Sequence, residues 1–541
     1  VVRILPGLPS PQAAVTITHN SEIPVSPNLT HISSDHDLAA LDVDAVVIGI
    51  TAGDKGIELG PGAADIDTAL AGKLAETLQH LGATGTPGQV VKLATLGATV
   101  APVIAAVGLG EQAGDATVIR NAAGAAIRAL AGTHRVAVAL GTGYAALAYA
   151  AAEGAALASY DFTSYKSEQA RQSASYRAPV SDIVIVNAHD ADRAELDRVM
   201  ISAHAVHQVR DWVNTPPNHL RPDHFAQAAV ALATQAGLDI EGLTVEVLDD
   251  TELKAQGYGG ITAVGSGSDA GPRLVTLRYQ PASYQPRDSA ATNLPHVALV
   301  GKGITFDTGG ISIKPAAKMH EMKSDMAGAA AVVAAVVAIA QLRLPVRVTA
   351  YVPIAENMPS GSAYRPGDVI TLYGGQQVEI LNTDAEGRLI LGDAIGRACQ
   401  DQPDYLIETS TLTGGQVIAL GHRICGVMGT DKLCERIIDA GKQTGEQMWQ
   451  MPLAQDVRTG MDSSIADFSQ INSSFDRAGH MLQGGLFLAE CVTDDIAWAH
   501  IDIAGPAYNG DGPHGFTPKG GTGVPVRTLV EVVERIGTAK R

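Results

Sequence analysis

Cysteine is scarce in this chain. Its four residues, Cys399, Cys425, Cys434 and Cys491, stand far apart and form no CxxC pair. That argues against a zinc ribbon or a disulfide scaffold and for a reducing compartment. Aromatic residues are only 4% of the whole against 46% hydrophobic residues, so Ala, Val, Leu and Ile have to fill the interior. Basic residues are outnumbered, 38 Lys and Arg against 57 Asp and Glu, for a formal net charge of -19. This balance opposes general attraction to nucleic-acid phosphates or anionic lipid. The only long apolar run, residues 326–340, is shorter than the ~20 residues of a bilayer crossing and reads as a buried helix. The opening VVRILPGLPSPQ shows no charged n-region, apolar h-region or small-residue cleavage site. A cytoplasmic protein that does not engage a membrane is expected.

A chain of 541 residues exceeds what one hydrophobic core organises, which favours two or three domains. From residue 45 to about 188, β-branched runs at 46–50, 103–104, 136–138 and 183–186 alternate with alanine-rich stretches at 122–130 and 145–158. Such alternation predicts an α/β layer structure. Residues 190–213 keep apolar positions at helical spacing until Thr215-Pro216-Pro217 ends the pattern. A second α/β region follows, with strands expected at 243–247, 274–279, 297–300, 346–352 and 406–408, and a surface loop at 280–293. The expected division is an N-terminal α/β domain over residues 1–190, a linker helix over 191–215 and a larger α/β domain over 216–541.

Three segments of the second region carry chemistry. In the first, strand-like Val297-Ala298-Leu299-Val300 runs into Gly301-Lys302-Gly303-Ile304-Thr305-Phe306-Asp307-Thr308-Gly309-Gly310. Lys302 and Asp307 would thus sit at the carboxyl end of a strand, where ligands of open α/β sheets gather. A lone Lys/Asp pair is more often a surface ion pair. A P-loop is excluded, because His296 stands at its first glycine position and Gly303 follows Lys302. In the second, Asp325 directly precedes the apolar helix, where by itself it reads as an N-cap. A zincin helix at His320-Glu321 is excluded by Ser324, where its second histidine would stand. In the third, Asn382-Thr383-Asp384-Ala385-Glu386-Gly387-Arg388 crowds two carboxylates and a guanidinium into a strand-to-helix turn. Asp384 there could cap a helix. Four carboxylates converging in one domain would repel unless cations neutralise them. Divalent metal, Zn, Mn, Mg or Co, is the economical answer, and bridging carboxylates with one neutral amine can hold two such ions.

These segments together resemble the leucyl aminopeptidase family of dinuclear metallopeptidases, and its actinobacterial members most. The resemblance rests on NTDAEGRL from Asn382, VGKGITFDTGGISIKP from Val300, MKSDMAGAAAV from Met322, ENMPSGSAYRPGD from Glu356, TSTLTG from Thr409 and WAHIDIAGPA from Trp498. It covers residues 210–530 closely and the N-terminal third in general character only. It implies that the larger domain is catalytic and has a central mixed sheet flanked by helices. It also implies that Lys302, Asp307, Asp325, Asp384 and Glu386 bind two divalent ions, Zn or Mn, with Asp307 and Glu386 bridging. Lys314 matches the lysine that polarises the scissile carbonyl. Arg388 matches the arginine holding a bicarbonate, the general base toward a metal-bridging water. Met322, Thr411, Gly414, Ala504 and Ala507 fall where the family lines its first side-chain pocket. Ala507 stands where other members carry methionine, so the preference for N-terminal leucine is left open.

The activity implied is removal of the N-terminal residue, leucine and others, from peptides by a cytoplasmic homohexamer. Two other readings compete with it. A two-metal phosphoesterase would use a similar carboxylate-rich site but commonly has paired histidine ligands. A DNA-binding regulatory role, known among bacterial relatives, is disfavoured by the charge of -19.

Overall fold

Alanine-rich helices lie close enough to one another and to their strands that glycine is needed where they meet. In the computed structural model, which describes residues 27–54, 56–187, 193–237, 240–281 and 294–539, helices Ala116–Ala129 and Ala145–Ala158 pack together. A Cβ added to Gly154 would stand 1.9 Å from the carbonyl oxygen of Arg120. The first of these helices starts six residues earlier than its alanine content indicates, because Asp115 caps it by accepting from Thr117 N and Val118 N.

The chain divides into two units. The first takes the described residues up to His207 together with Gly510–Lys519. Its seven-stranded sheet runs in the order Asn28–Ser33, Asp182–Asn187, Arg135–Val138, Ala45–Gly53, Val103–Gly108, Val90–Ala94, with Gly56–Leu59 added to Ala45–Gly53. All pairings are parallel except those of Val90–Ala94 and Gly56–Leu59. Within this unit Gly515 accepts from Arg128 Nε at 2.9 Å. Helix Arg193–Asn214 covers most of the segment expected as a linker, and the boundary between the units falls inside it. Residues 191–192 lie outside the described residues, as do 282–293 of the expected loop and the opening twelve residues.

The second unit, Gln208–Asn509 with Gly520 onward, is built on a nine-stranded mixed sheet. Its order is Gln447–Gln450, Ile424–Gly429, Ala497–Asp502, Tyr405–Ser410, His296–Gly301, Arg347–Asn357, Arg273–Tyr279, Leu243–Leu248, and Gly303–Asp307 pairs with Arg347–Asn357. The three central strands, Ala497–Asp502, Tyr405–Ser410 and His296–Gly301, are parallel to one another. Helices Gly387–Gln400 and His480–Ala489 bury Leu389, Ile390, Phe487 and Leu488 in one core with Val300, Leu406 and Trp498 of those strands.

Helix Ala327–Gln341 is apolar on every side and buried from Ala327 to Ala340. Together with the preceding turn it forms the only stretch among the described residues long and apolar enough to cross a membrane, and 94% of its most apolar 18 residues are inside the protein. Helices that are hydrophobic all round belong in the core of a large domain.

Candidate metal centre

Close contact between helix Ala327–Gln341 and the central strands fixes where the first acidic groups stand. A Cβ on Gly301 would lie 2.6 Å from the carbonyl oxygen of Gly328, and one on Gly328 would lie 2.2 Å from that of Thr409. Only glycine allows this approach. It seats the helix start against the strand ends and brings Asp325, just after the 3-10 turn Met319–Ser324, to Lys302 at the end of strand His296–Gly301. The helix N-cap is Met326 and makes no side-chain cap bond, so Asp325 is not a cap. Its carboxylate turns inward instead, where Oδ1 accepts from Lys302 Nζ and from Thr411 Oγ1, both at 2.8 Å.

The third segment meets the first two. Helix Gly387–Gln400 begins directly after Glu386, which makes no side-chain cap bond. Asp384 does not cap it either. The carboxylates of Asp307, Asp384 and Glu386 bring ligand atoms within 4.8 Å of one another, and two lysines are threaded between them. Lys302 Nζ lies 2.8 Å from Asp325 Oδ2 and 2.9 Å from Glu386 Oε1, and donates to Thr411 O at 3.0 Å. Lys314 Nζ lies 2.8 Å from Asp307 Oδ2 and 2.5 Å from Asp384 Oδ1. The five residues expected as metal ligands and Lys314 therefore share one site.

Burial and mutual repulsion act on the carboxylates of the site, and the two lysines act against them. Burial pushes Asp325 well above the usual carboxylate range, against the pull of Lys302. Burial and then the neighbouring Asp307 push Asp384 up to about 6, and burial with Glu386 raises Asp307. Glu386 alone is lowered, because Lys302 and Lys314 outweigh its burial. Burial by itself would lower Lys302, but Asp325, Glu386 and Asp307 overcome it and raise it. Four carboxylates face only two ammonium groups in a site that is buried except at Lys314 and Asp384, which are partly open to solvent. Asp325 Oδ2 and Asp384 Oδ1 approach an ammonium yet accept no hydrogen bond. An oxygen-rich set of this kind suits hard or borderline divalent cations, and such cations among these carboxylates would favour a neutral Lys302.

Residues that the motifs did not single out hold this geometry. Asn357, fully buried, donates through Nδ2 to Asp307 Oδ1 at 2.8 Å and to Thr383 O at 3.0 Å. Thr383 Oγ1 donates to Gly309 O at 2.7 Å and accepts from Ser312 N at 2.8 Å. Tyr364 donates to Thr383 O at 2.9 Å. These bonds tie the loop bearing Lys314 to the turn bearing Asp384. Gly310 has φ +64°, and a Cβ there would lie 2.8 Å from Asn357 Oδ1. The paired glycines after Asp307 and the neighbouring Asn357 are the local signal that could have revealed this brace.

Arg388 is buried beneath the turn, its Nη1 donating to Gln470 O at 2.5 Å and its Nε without a partner. Burial lowers it to about 10 against the pull of Glu386 and Asp502. The donor that remains suits a small anion. Of the expected pocket residues, Thr411 reaches Asp325 directly, Gly414 opens helix Gly414–Leu420, Met322 lies in the 3-10 turn before Asp325, and Ala504 follows strand Ala497–Asp502. Ala507 is almost wholly buried.

The chain has counterparts among known proteins. A family model described as the cytosol aminopeptidase family, catalytic domain, matches residues 207–530, and the N-terminal domain of that family matches residues 47–169. A probable cytosol aminopeptidase of Rhodococcus jostii is 49% identical over 91% of this chain and 95% of its own. One of Streptomyces avermitilis is 46% identical over 92% of this chain and 96% of its own. Among solved structures, the bottromycin maturation enzyme BotP in complex with Mn is similar with a TM-score of 0.76 and 35% identity, over 92% of this chain and 100% of that one. A mutant tomato leucine aminopeptidase gives a TM-score of 0.81 at 28% identity, over 94% of this chain and 97% of its own.

Proposed function

This chain belongs to the cytosol aminopeptidase family and is a metal-dependent exopeptidase, and from that premise we propose that it removes N-terminal residues, leucine among others, at a two-ion centre. Lys302, Asp307, Asp325, Asp384 and Glu386 hold the ions in this reading. The observation that carries it is the meeting of Asp307, Asp384 and Glu386 within 4.8 Å in a buried site whose carboxylates outnumber its ammonium groups. Divalent ions bound there, Zn or Mn, supply Lewis-acid polarisation and an activated water. The Mn complex of BotP supports manganese.

The chain's own residues do the rest. Lys314, partly open to solvent and aimed at Asp307 and Asp384, hydrogen-bonds the scissile carbonyl and stabilises the charge that develops on its oxygen. Arg388, with its unpartnered Nε, would hold a bicarbonate, which would supply a general base beside the metal centre. The wall formed by Met322, Thr411, Gly414, Ala504 and Ala507 receives the first side chain. A cytoplasmic setting is supported by the relatives' names, and assembly as a homohexamer rests on the family alone.

Release of leucine from a leucine anilide in the presence of Mn or Zn tests this reading. It requires loss of activity on chelation, no cleavage of an aryl phosphate, and a fall of about 10²–10³-fold in turnover for Lys314→Ala. Aryl phosphate hydrolysis without peptide or anilide cleavage would transfer the site to phosphoesterase chemistry.

A further inference from the structure

One buried carboxylate ties together the two segments that carry Thr411 and Ala504. Asp502, the last residue of strand Ala497–Asp502 and fully buried, accepts at Oδ1 from Leu412 N at 3.2 Å and Ala504 N at 3.1 Å. Its Oδ2 accepts from Thr413 Oγ1 at 2.7 Å. A second tie runs parallel to it: Gln416 Oε1 accepts from Gly505 N at 2.6 Å, while Gln416 N donates to Thr413 Oγ1 at 3.0 Å.

Behind Asp502 stands a pair that the proposed chemistry does not use. His500 places Nε2 4.0 Å from Asp502 Oδ2 and binds Glu408 Oε2 through Nδ1. In the parallel register Glu408 faces His500 and Ser410 faces Asp502, so all four project on one side of the sheet. Buried ionisable groups are costly unless they are paired and hydrogen-bonded, and here His500 and Glu408 pair with each other directly behind Asp502. In front of Asp502, Thr411 Oγ1 donates to Asp325 Oδ1 and Thr411 O accepts from Lys302 Nζ. Asp502 is therefore bonded to the loop that touches Lys302 and Asp325, with the Glu408–His500 pair packed behind it at 4.0 Å and not hydrogen-bonded to it.

We propose that Asp502, backed by His500 and Glu408, is a positioning residue that sets the enzyme's side-chain discrimination by clamping the Thr411–Gly414 and Ala504–Ala507 segments against each other. This rests on the aminopeptidase reading and its pocket. Asp502 touches neither substrate nor metal in that account. Its effect is to fix the distance between two pocket walls and the direction of Thr411.

A general structural defect lowers turnover of every substrate alike, whereas a loosened wall changes the ratio between substrates. The test is therefore kcat/KM for leucyl and alanyl anilides, measured with Mn or Zn on the full chain, wild type against Asp502→Ala, Thr413→Val and Thr413→Ser. The ratio is expected to move toward one by about tenfold in Asp502→Ala, in the same direction but less in Thr413→Val, and to return in Thr413→Ser, which keeps the hydroxyl. If Asp502→Ala does not fold, the Thr413 pair decides. An unchanged ratio with both rates reduced equally overturns the clamp, as does a wild-type ratio of about one. No release from either anilide by the wild type would sink the aminopeptidase reading itself, a separate outcome.

Discussion

Lys302 crosses the face of Gly387 so closely that a Cβ at residue 387 would stand 2.5 Å from Lys302 Cε and 2.8 Å from Nζ. The two residues come from different segments of sequence, and the missing side chain of one makes room for the amine of the other. Gly387 has no left-handed backbone requirement and lies in the first turn of a helix, where alanine favours folding by about 1 kcal/mol over glycine. Gly387→Ala is expected to displace Lys302 from its buried pairs with Asp325 and Glu386, lowering thermal stability by more than the helix gains, with turnover falling about 100-fold. A melting curve and kcat on one preparation check this. Full activity would show that Lys302 does not need its present path.

Thr383 joins the Lys314 loop to the Asp384 turn through its hydroxyl. Thr383→Val keeps the shape but leaves Ser312 N and Gly309 O without these partners, at about 1–3 kcal/mol. Because the loop carries Lys314, kcat should fall more than KM rises. Steady-state kinetics with a urea titration measure both. A stability loss with kcat unchanged would make the brace purely structural.

Asp393 is buried in helix Gly387–Gln400 and accepts from Ile261 N and Tyr373 N, both at 2.8 Å. Burial pushes it up to about 7 against these bonds, from an ordinary value of 3.8. The folded chain thus keeps a proton that the unfolded chain releases, so stability falls as pH rises between those two values and is level above them. The contribution amounts to about 4 kcal/mol across the window. Asp393→Asn, which cannot accept from both amides, removes this dependence and weakens the fold. Urea midpoints of wild type and variant between pH 4 and 8 should draw together as pH rises; a constant separation would contradict the assignment.

The layered α/β fold was legible because strand and helix periodicities alternate cleanly, and the alanine-rich stretch at residues 145–158 gives its helix directly. Ends set by a cap or a close contact were less so. Helix Gly387–Gln400 starts three residues before the apolar run at Ile390, since Gly387 and Arg388 are governed by Lys302 and Gln470 from elsewhere in the chain. Asp325 read alone as a cap, because its real partners, Lys302 and Thr411, are 23 and 86 residues away. The charged residues of the site stood out in the sequence by their number. Asn357, Thr383 and Asp502 lie within the family-like segments but did not stand out there as site residues, because their partners are distant in sequence. Gly510–Lys519 was similarly hidden, a short late segment grouped with the first unit through contacts such as that of Gly515 with Arg128.

The two-ion centre is tested most directly by counting metal in the purified chain and in Glu386→Ala. Glu386 is fully enclosed and contacts Lys302, and its loss removes one of the three carboxylates that meet within 4.8 Å. The wild type is expected to hold about two ions per chain, and Glu386→Ala to hold fewer than one while losing release of N-terminal leucine. A variant that keeps both ions and near-normal turnover would contradict the site.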